Sequence, residues 1–186
     1  MTAARFTNHL LVAMPSLADP NFSRTVTLIC EHNEQGALGV VINRPTDVTL
    51  RKLLEHLDLV PANEKVADTS VYAGGPVQLD RGFILHAPLG TWESTLAIGA
   101  ELGLTSSLDI LAAIAAGEGP EQSLIALGYA GWGAGQLEQE IADNAWLTVP
   151  SDADILFKLP VEQRWQAAAR KLGVDLSLIT GRAGHA

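Results

Sequence analysis

Thr25–Ile42 reads TVTLICEHNEQGALGVVI, and this stretch decides the architecture. Thr25–Cys30 is rich in β-branched residues and Ala37–Ile42 is apolar. Between them stands Asn33-Glu34-Gln35-Gly36. Two β-prone runs around a short Asn/Gly-bearing loop predict a hairpin, and Pro45 stops its second strand. Outward from the hairpin, residues 9–14 predict a short buried strand before Pro15, and Asp19-Pro20-Asn21 predicts a turn. Ser70–Ala73 and Phe83–His86 predict strands flanking Gly74-Gly75-Pro76 and Asp80-Arg81-Gly82. Glu93–Ile98, Ser123–Tyr129 and Trp146–Val149 read as further strands. Leu50, Leu53, Leu54 and Leu57 follow i, i+3, i+4, i+7 behind Thr49, the signature of a capped helix. Pro61–Thr69 is polar and reads as a loop. Helices are predicted from the Thr105-Ser106-Ser107 caps to about Ala116, over Gln136–Asp143, and from about Pro160 to Leu172. Strands bunch as hairpins instead of alternating with helices, so the class is α+β.

The composition supports one globular domain over residues 1–186. The chain has 186 residues, 47% hydrophobic, enough to fill a core and exclude wholesale disorder. Twelve basic and 21 acidic side chains leave a net charge of −9, a field that repels phosphate backbones and anionic membranes. A single cysteine excludes an internal disulfide framework and any four-cysteine metal site. The apolar run Leu10–Met14 is shorter than a secretory signal needs, and Ile110–Ala116 is far shorter than a membrane span. These features predict a cytosolic protein with no membrane contact, so the Asn21-Phe22-Ser23 sequon is idle. Oligomeric state leaves no signature in the sequence.

Few constellations carry chemistry. Gly128-Tyr129-Ala130-Gly131-Trp132-Gly133-Ala134-Gly135 reads as a strand-to-helix turn. Backbone N–H groups in such a turn can cradle an anion. The spacing fits neither GxGxxG nor a P-loop, however, and the bland alternative is close strand–helix packing. Cys30 and His32 would share a strand face, which would pair a thiol with an imidazole, although buried, inert cysteine is the ordinary case. The histidines at 9, 32, 56, 86 and 185 form no ligand-spaced pair, and no metal or other cofactor is expected. Gln136 and Glu140 share a helix face whereas Glu138 and Glu140 do not. Arg164, Arg170, Lys171 and Arg182 are the densest basic stretch, but no second helix stands beside them as a helix-turn-helix requires, so direct nucleic-acid binding is disfavoured. Trp165, Ala168, Ala169 and Leu172 instead mark the core face of that helix.

Several segments together resemble the AlgH/YqgE family of bacterial proteins. They are Leu11-Val12-Ala13-Met14-Pro15, Asp19-Pro20-Asn21-Phe22, Cys30-Glu31-His32-Asn33 through Gly36, and Gly39-Val40-Val41-Ile42-Asn43-Arg44-Pro45. The match continues through Gly74-Gly75-Pro76-Val77, Arg81-Gly82-Phe83-Ile84-Leu85-His86, Gly128-Tyr129-Ala130-Gly131-Trp132, Gly135-Gln136-Leu137-Glu138, Asn144-Ala145-Trp146-Leu147 and Gly184-His185-Ala186. The resemblance implies a mixed, largely antiparallel bifurcated sheet bent into a pseudo-barrel with helices packed outside. It also implies a cytosolic protein labelled a transcriptional regulator and linked by name to alginate production, with no catalytic residue to carry over. Given the acidic charge, a regulator of this kind is expected to act indirectly, through a small-molecule or protein partner.

The ends of the motif loops then supply the candidate ligand surface: His32, Asn43, Arg44, Gly74, Gly75, His86, Trp132 and Gln136. Trp132 beside its glycines is either a stacking face or a packed loop anchor. An enzyme acting on a small metabolite is the alternative reading, with His32 and His86 as the acid–base candidates.

Overall fold

The hairpin forms where the pattern places it. In the computed structural model, which describes residues 5–176 and 178, β2 (Val26–Asn33) and β3 (Gly36–Val41) pair antiparallel. Asn33 Oδ1 closes the turn by accepting the Gln35 amide at 2.8 Å. β1 (His9–Ala13) lies on the other side of β2, and its own outer neighbour is β10 (Trp146–Pro150). The remaining strands are β4 (Pro45–Thr49), β5 (Ser70–Ala73), β6 (Val77–Ala87), β7 (Thr95–Ala97), β8 (Gly103–Thr105) and β9 (Gln122–Gly133). Arg182 and Gly184-His185-Ala186 lie outside the described residues.

The path β10-β1-β2-β3-β9-β6-β8-β7 is joined along one edge of β9 by the β4–β5 pair. That edge takes β5, in parallel, at Ile125–Leu127, and then β3, antiparallel, at residues 130–133. The sheet therefore forks at β9. It curls into a half-barrel with several helices packed against it, which makes the class α+β. At the fork, Gly74 donates to Leu127 O at 2.7 Å and accepts from Val41 N at 2.8 Å, so one residue ties β9 to β3. Gly75 (φ 157°) and Gly128 (φ 78°) adopt conformations that L side chains rarely reach, which lets two main chains touch there.

The strands are buried on both faces, so helices cover both. Leu10, Val12, Leu28 and Val40 meet Trp165, Ala168 and Ala169 of α5 (Arg164–Arg170). Trp165 Nε1 also donates to Ala13 O at 2.8 Å, tying helix to strand. Val71, Ile84 and Ile125 lie under Leu50 and Leu54 of α1 (Leu50–His56) and under Ile110, Leu111 and Ala115 of α3 (Leu108–Ala115). Leu11, Ile29 and Ala130 pack with Trp132, Trp146 and Leu137, the last on α4 (Gln136–Ala142).

Several local readings change: Pro45 opens β4, and Thr105 lies in β8 instead of capping α3. The polar stretch 61–69 contains a helical turn, α2 (Glu64–Ala67), because the Asn63 side chain caps Val66 N at 2.9 Å. Asp80-Arg81-Gly82 is not a turn between strands but part of β6. The register passes from Val77↔Tyr129 to Gly82↔Leu127, so Gln78–Arg81 arch out of the ladder opposite Gly128 alone. The supposed glycine turn is mostly strand. Gly131 and Gly133 pair with Leu38 and Gly36, so their peptides sit in the β3 ladder instead of forming an open anion cradle. Finally, the β2–β3 register passes from Ile29↔Gly39 to Glu31↔Leu38, making Cys30 the extra residue of a β-bulge. Cys30 packs with Leu28 and Val40, whereas His32 stacks on Phe6, which belongs to the Leu11–Ile29 cluster. The bulge separates thiol from imidazole, and burial pushes the thiol pKa upward, so Cys30 is not primed as a nucleophile.

Candidate functional site

The eight residues singled out from the sequence fall into four places. Asn43 and Arg44 organise the Pro20–Arg24 loop. Asn43 Oδ1 accepts from Val26 N at 2.9 Å and its Nδ2 donates to Arg24 O at 3.0 Å. Arg44 donates to the carbonyls of Pro20, Asn21 and Ser23 at 2.8, 2.7 and 2.9 Å. Gly74 and Gly75 form the fork. His32, Trp132 and Gln136 gather around α4. The His32 ring is buried and accepts the Phe6 amide at Nδ1 (3.0 Å), so Nε2 carries the proton and faces Glu138 Oε1 at 3.2 Å. Trp132 and Trp146 both donate through Nε1 to Glu140 Oε1 at 3.0 Å. Gln136 bridges the Gly133 amide and Glu140 Oε2 at 2.9 and 2.8 Å, the i,i+4 contact its spacing predicts. Trp132 is only 6% exposed, packed beside the Phe22 and Trp146 rings.

His86 stands alone on β6, fully buried. A carbonyl oxygen can only accept, so the 3.1 Å contact to Pro88 O puts the ring proton on Nδ1. Nε2 then accepts the Thr105 hydroxyl at 2.7 Å, and Thr105 in turn accepts from Thr95 at 2.7 Å. Burial holds the imidazole pKa below its ordinary value of 6.5. Because the folded value is depressed, the unfolded chain takes up the proton first. The stabilisation is complete above pH 6.5 and is lost as pH falls towards the folded value. Melting temperatures between pH 7.5 and 5 should therefore fall on acidification, His86 contributing at most ~1.4 kcal/mol per pH unit. His86→Gln should be less stable at pH 7.5 but flatter with pH. An equally steep curve in that variant would place the acid sensitivity elsewhere.

The Thr95 end of this chain reaches the wall of a surface cavity. Two cavities of about 520 and 540 Å³ lie on either side of the β6 arch and share Arg81 and Ser106. Both lie within the ~300–1,000 Å³ typical of small-molecule sites. The first is lined by Thr95, Phe83, Tyr129, Gln78 and Glu93 among others. The second is walled by Val48, Leu53, Leu57, Leu108, Leu111 and Leu127, with Lys52, His56 and Asp80 at its rim. Arg81 lies over the Phe83 ring at 5.2 Å and touches Gln78 and Ser106 at 3.3 and 3.4 Å, and it forms no ion pair among the described residues. None of the eight sequence-derived residues lines either cavity. In the sequence Arg81 stands between predicted strands and opens one of the segments that resemble the family, and neither marks it as a site residue. Its one local signal was a cation inside a strand-flanking Asp-Arg-Gly, and the leucines facing it come from separate elements. Among the described residues, no group of three or more His, Cys, Asp or Glu is placed to hold a metal, and no helix is long and apolar enough to cross a membrane.

Relatives share this architecture from end to end. The chain is 64% identical to a UPF0301 protein of Thioalkalivibrio sulfidiphilus over 187 aligned positions, covering all of both chains. It is 59% identical to a UPF0301 protein of Pseudomonas aeruginosa, covering 96% of this chain and 95% of that one. The solution structure of the Pseudomonas aeruginosa AlgH protein superposes with a TM-score of 0.81 at 56% identity, covering 100% of this chain and 98% of that one. The crystal structure of a Corynebacterium diphtheriae protein shares the fold, with a TM-score of 0.75 at 22% identity and coverage of 97% and 94%. The family model described as AlgH-like spans residues 10–177, taking in the hairpin, the fork and the β6 arch, and on that match the chain belongs to the AlgH-like family.

Proposed function

We propose that this protein is a cytosolic ligand-binding regulator that takes a small amphiphilic anion in the cleft beside Arg81. It influences gene expression through that ligand or a protein partner, without touching DNA itself. The observation that carries this reading is the pairing of an apolar wall of five leucines and a valine with a rim cation, Arg81, that forms no ion pair with a described carboxylate. Apolar area favours a hydrophobic body, and an unpaired guanidinium favours an acidic head. The net charge of −9 speaks against direct DNA contact.

Calorimetric titration with straight-chain carboxylates tests it. Decanoate should bind at least tenfold more tightly than butyrate, because each buried methylene contributes roughly 0.8 kcal/mol. Leu108 is 60% exposed at the cleft wall, so Leu108→Glu should leave the fold intact while weakening decanoate about tenfold or more. Equal affinity along the series, or undiminished binding by that variant, would sink the reading.

A further inference from the structure

We infer that a third, smaller cavity, at Arg164, binds a phosphoryl oxyanion, either free or as the head of a small metabolite. The site shares no residue with the cleft, and its argument is independent of the reading above. Arg164 opens α5 and is only 5% exposed, yet it forms no ion pair among the described residues. Its Nε donates to Leu159 O at 3.1 Å and its Nη1 to Ile42 O at 2.6 Å, while the guanidinium carbon stands 5.5 Å from the Tyr72 ring centroid. The two carbonyls set the plane of the fork. Nη2 makes no hydrogen bond to a described residue.

The side chain is almost wholly buried, and its charge is met only by two carbonyl dipoles and the Tyr72 ring, which leaves Nη2 free to take an anion in a charge-assisted hydrogen bond. The chain carries 21 acids, but none lines this cavity. Its walls come from Ser70, Tyr72, Ser123, Leu156 and Phe157 beside the arginine, and it is an open recess of about 210 Å³ with the two serines at its exposed edge. That is below the ~300 Å³ at which drug-sized sites begin. It equals the liquid share of roughly seven waters, so the space suits a small group. Three hydroxyl side chains and a forked cation together offer several N–H and O–H donors, which suits the oxygens of a phosphoryl group. The parallel pairing of β5 with β9 brings these walls together, with Tyr72 opposite Ala126, and Arg164 enters from a helix some forty residues downstream of Ser123.

The test follows the Arg164 Nε–H resonance by ¹⁵N NMR, alongside the melting temperature, during titration with inorganic phosphate at constant ionic strength. Parallel titrations use glycerol 3-phosphate, acetate and sodium chloride. Phosphate should move the resonance saturably and raise the melting temperature, while acetate and chloride should not. Tighter saturation by glycerol 3-phosphate identifies an esterified head as the natural occupant; tighter saturation by inorganic phosphate identifies the free ion. Arg164→Lys keeps the charge without the fork and should require about tenfold more phosphate. Ser123→Leu leaves the arginine in place and narrows the cavity, so it should abolish saturation, and it decides the matter if the arginine variant does not fold. A response equal in acetate or chloride, no saturable response at all, or one that persists in Ser123→Leu overturns the proposal.

Discussion

Gly75→Ala should leave little folded protein. At φ 157° an L residue is already strained by about 1–3 kcal/mol. The added Cβ would also collide with Tyr129 C and O and with Ala130 N, all main-chain atoms of β9. None of these can swing away as a side-chain tip would, and moving β9 disturbs both branches of the sheet. The neighbouring Gly74 peptide is pinned on both sides by its bonds to Leu127 and Val41, so the segment cannot back off either. Strain and overpacking together come to about 4 kcal/mol or more, against the ~5–15 kcal/mol that holds a typical domain together. Soluble yield and NMR dispersion read the outcome. Gly135→Ala is the matched control: its φ is 75°, but nothing lies within 4 Å of the new carbon, so only the conformational cost of about 1 kcal/mol remains. A well-folded Gly75→Ala, as stable as that control, would mean the fork is far looser than its geometry.

Glu140→Ala is expected to cost about 2–5 kcal/mol, because one carboxylate oxygen accepts both indole N–H groups of Trp132 and Trp146. Both rings are buried, 6% and 3% exposed, and neither donor has another acceptor among the described residues. Truncation strands two buried donors at once and also frees Gln136, whose amide caps Gly133. Glu140→Gln retains an oxygen for the indoles but turns its amide N–H groups towards the Gln136 donor, so it should lose about 1–2 kcal/mol, less than the alanine variant. Urea unfolding followed by tryptophan emission measures both. Equal losses in the two variants would show that charge, not acceptance by the indoles, is what Glu140 supplies.

The outer hairpin and most helices are legible because their signals are local. Val26–Val41 carries its own turn, and Leu50 and Leu54 mark a face that any neighbouring sheet would bury. The polar stretch 61–69 hides α2 because a single Asn63 cap nucleates it. Gly131 and Gly133 read as turn because glycine lacks strand propensity. They are strand because Gly36 and Leu38 supply the ladder from nearly a hundred residues away.

Of the candidate site, the eight motif residues stand in four separate places of the fold. His32, Arg44, His86 and Trp132 each hold their own region together, bonded to partners that a one-dimensional pattern does not display. The cleft was not legible. Val48, Leu53, Leu108 and Leu127 sit on different elements, and Arg81 becomes a rim cation only because β6 arches out opposite Gly128.

By itself, then, the sequence determined class, charge, the hairpin and most of the helix faces, since these depend on periodicities of two and 3.6 and on turn chemistry within a few residues. Leu57 and Leu172, read as core, instead lie exposed past the ends of their helices. The forked sheet, the bulge that parts Cys30 from His32, the cleft at Arg81 and the buried cation at Arg164 were decided only by the tertiary structure. Each depends on which strands share the edges of β9, and on contacts between residues separated by tens of positions in the chain.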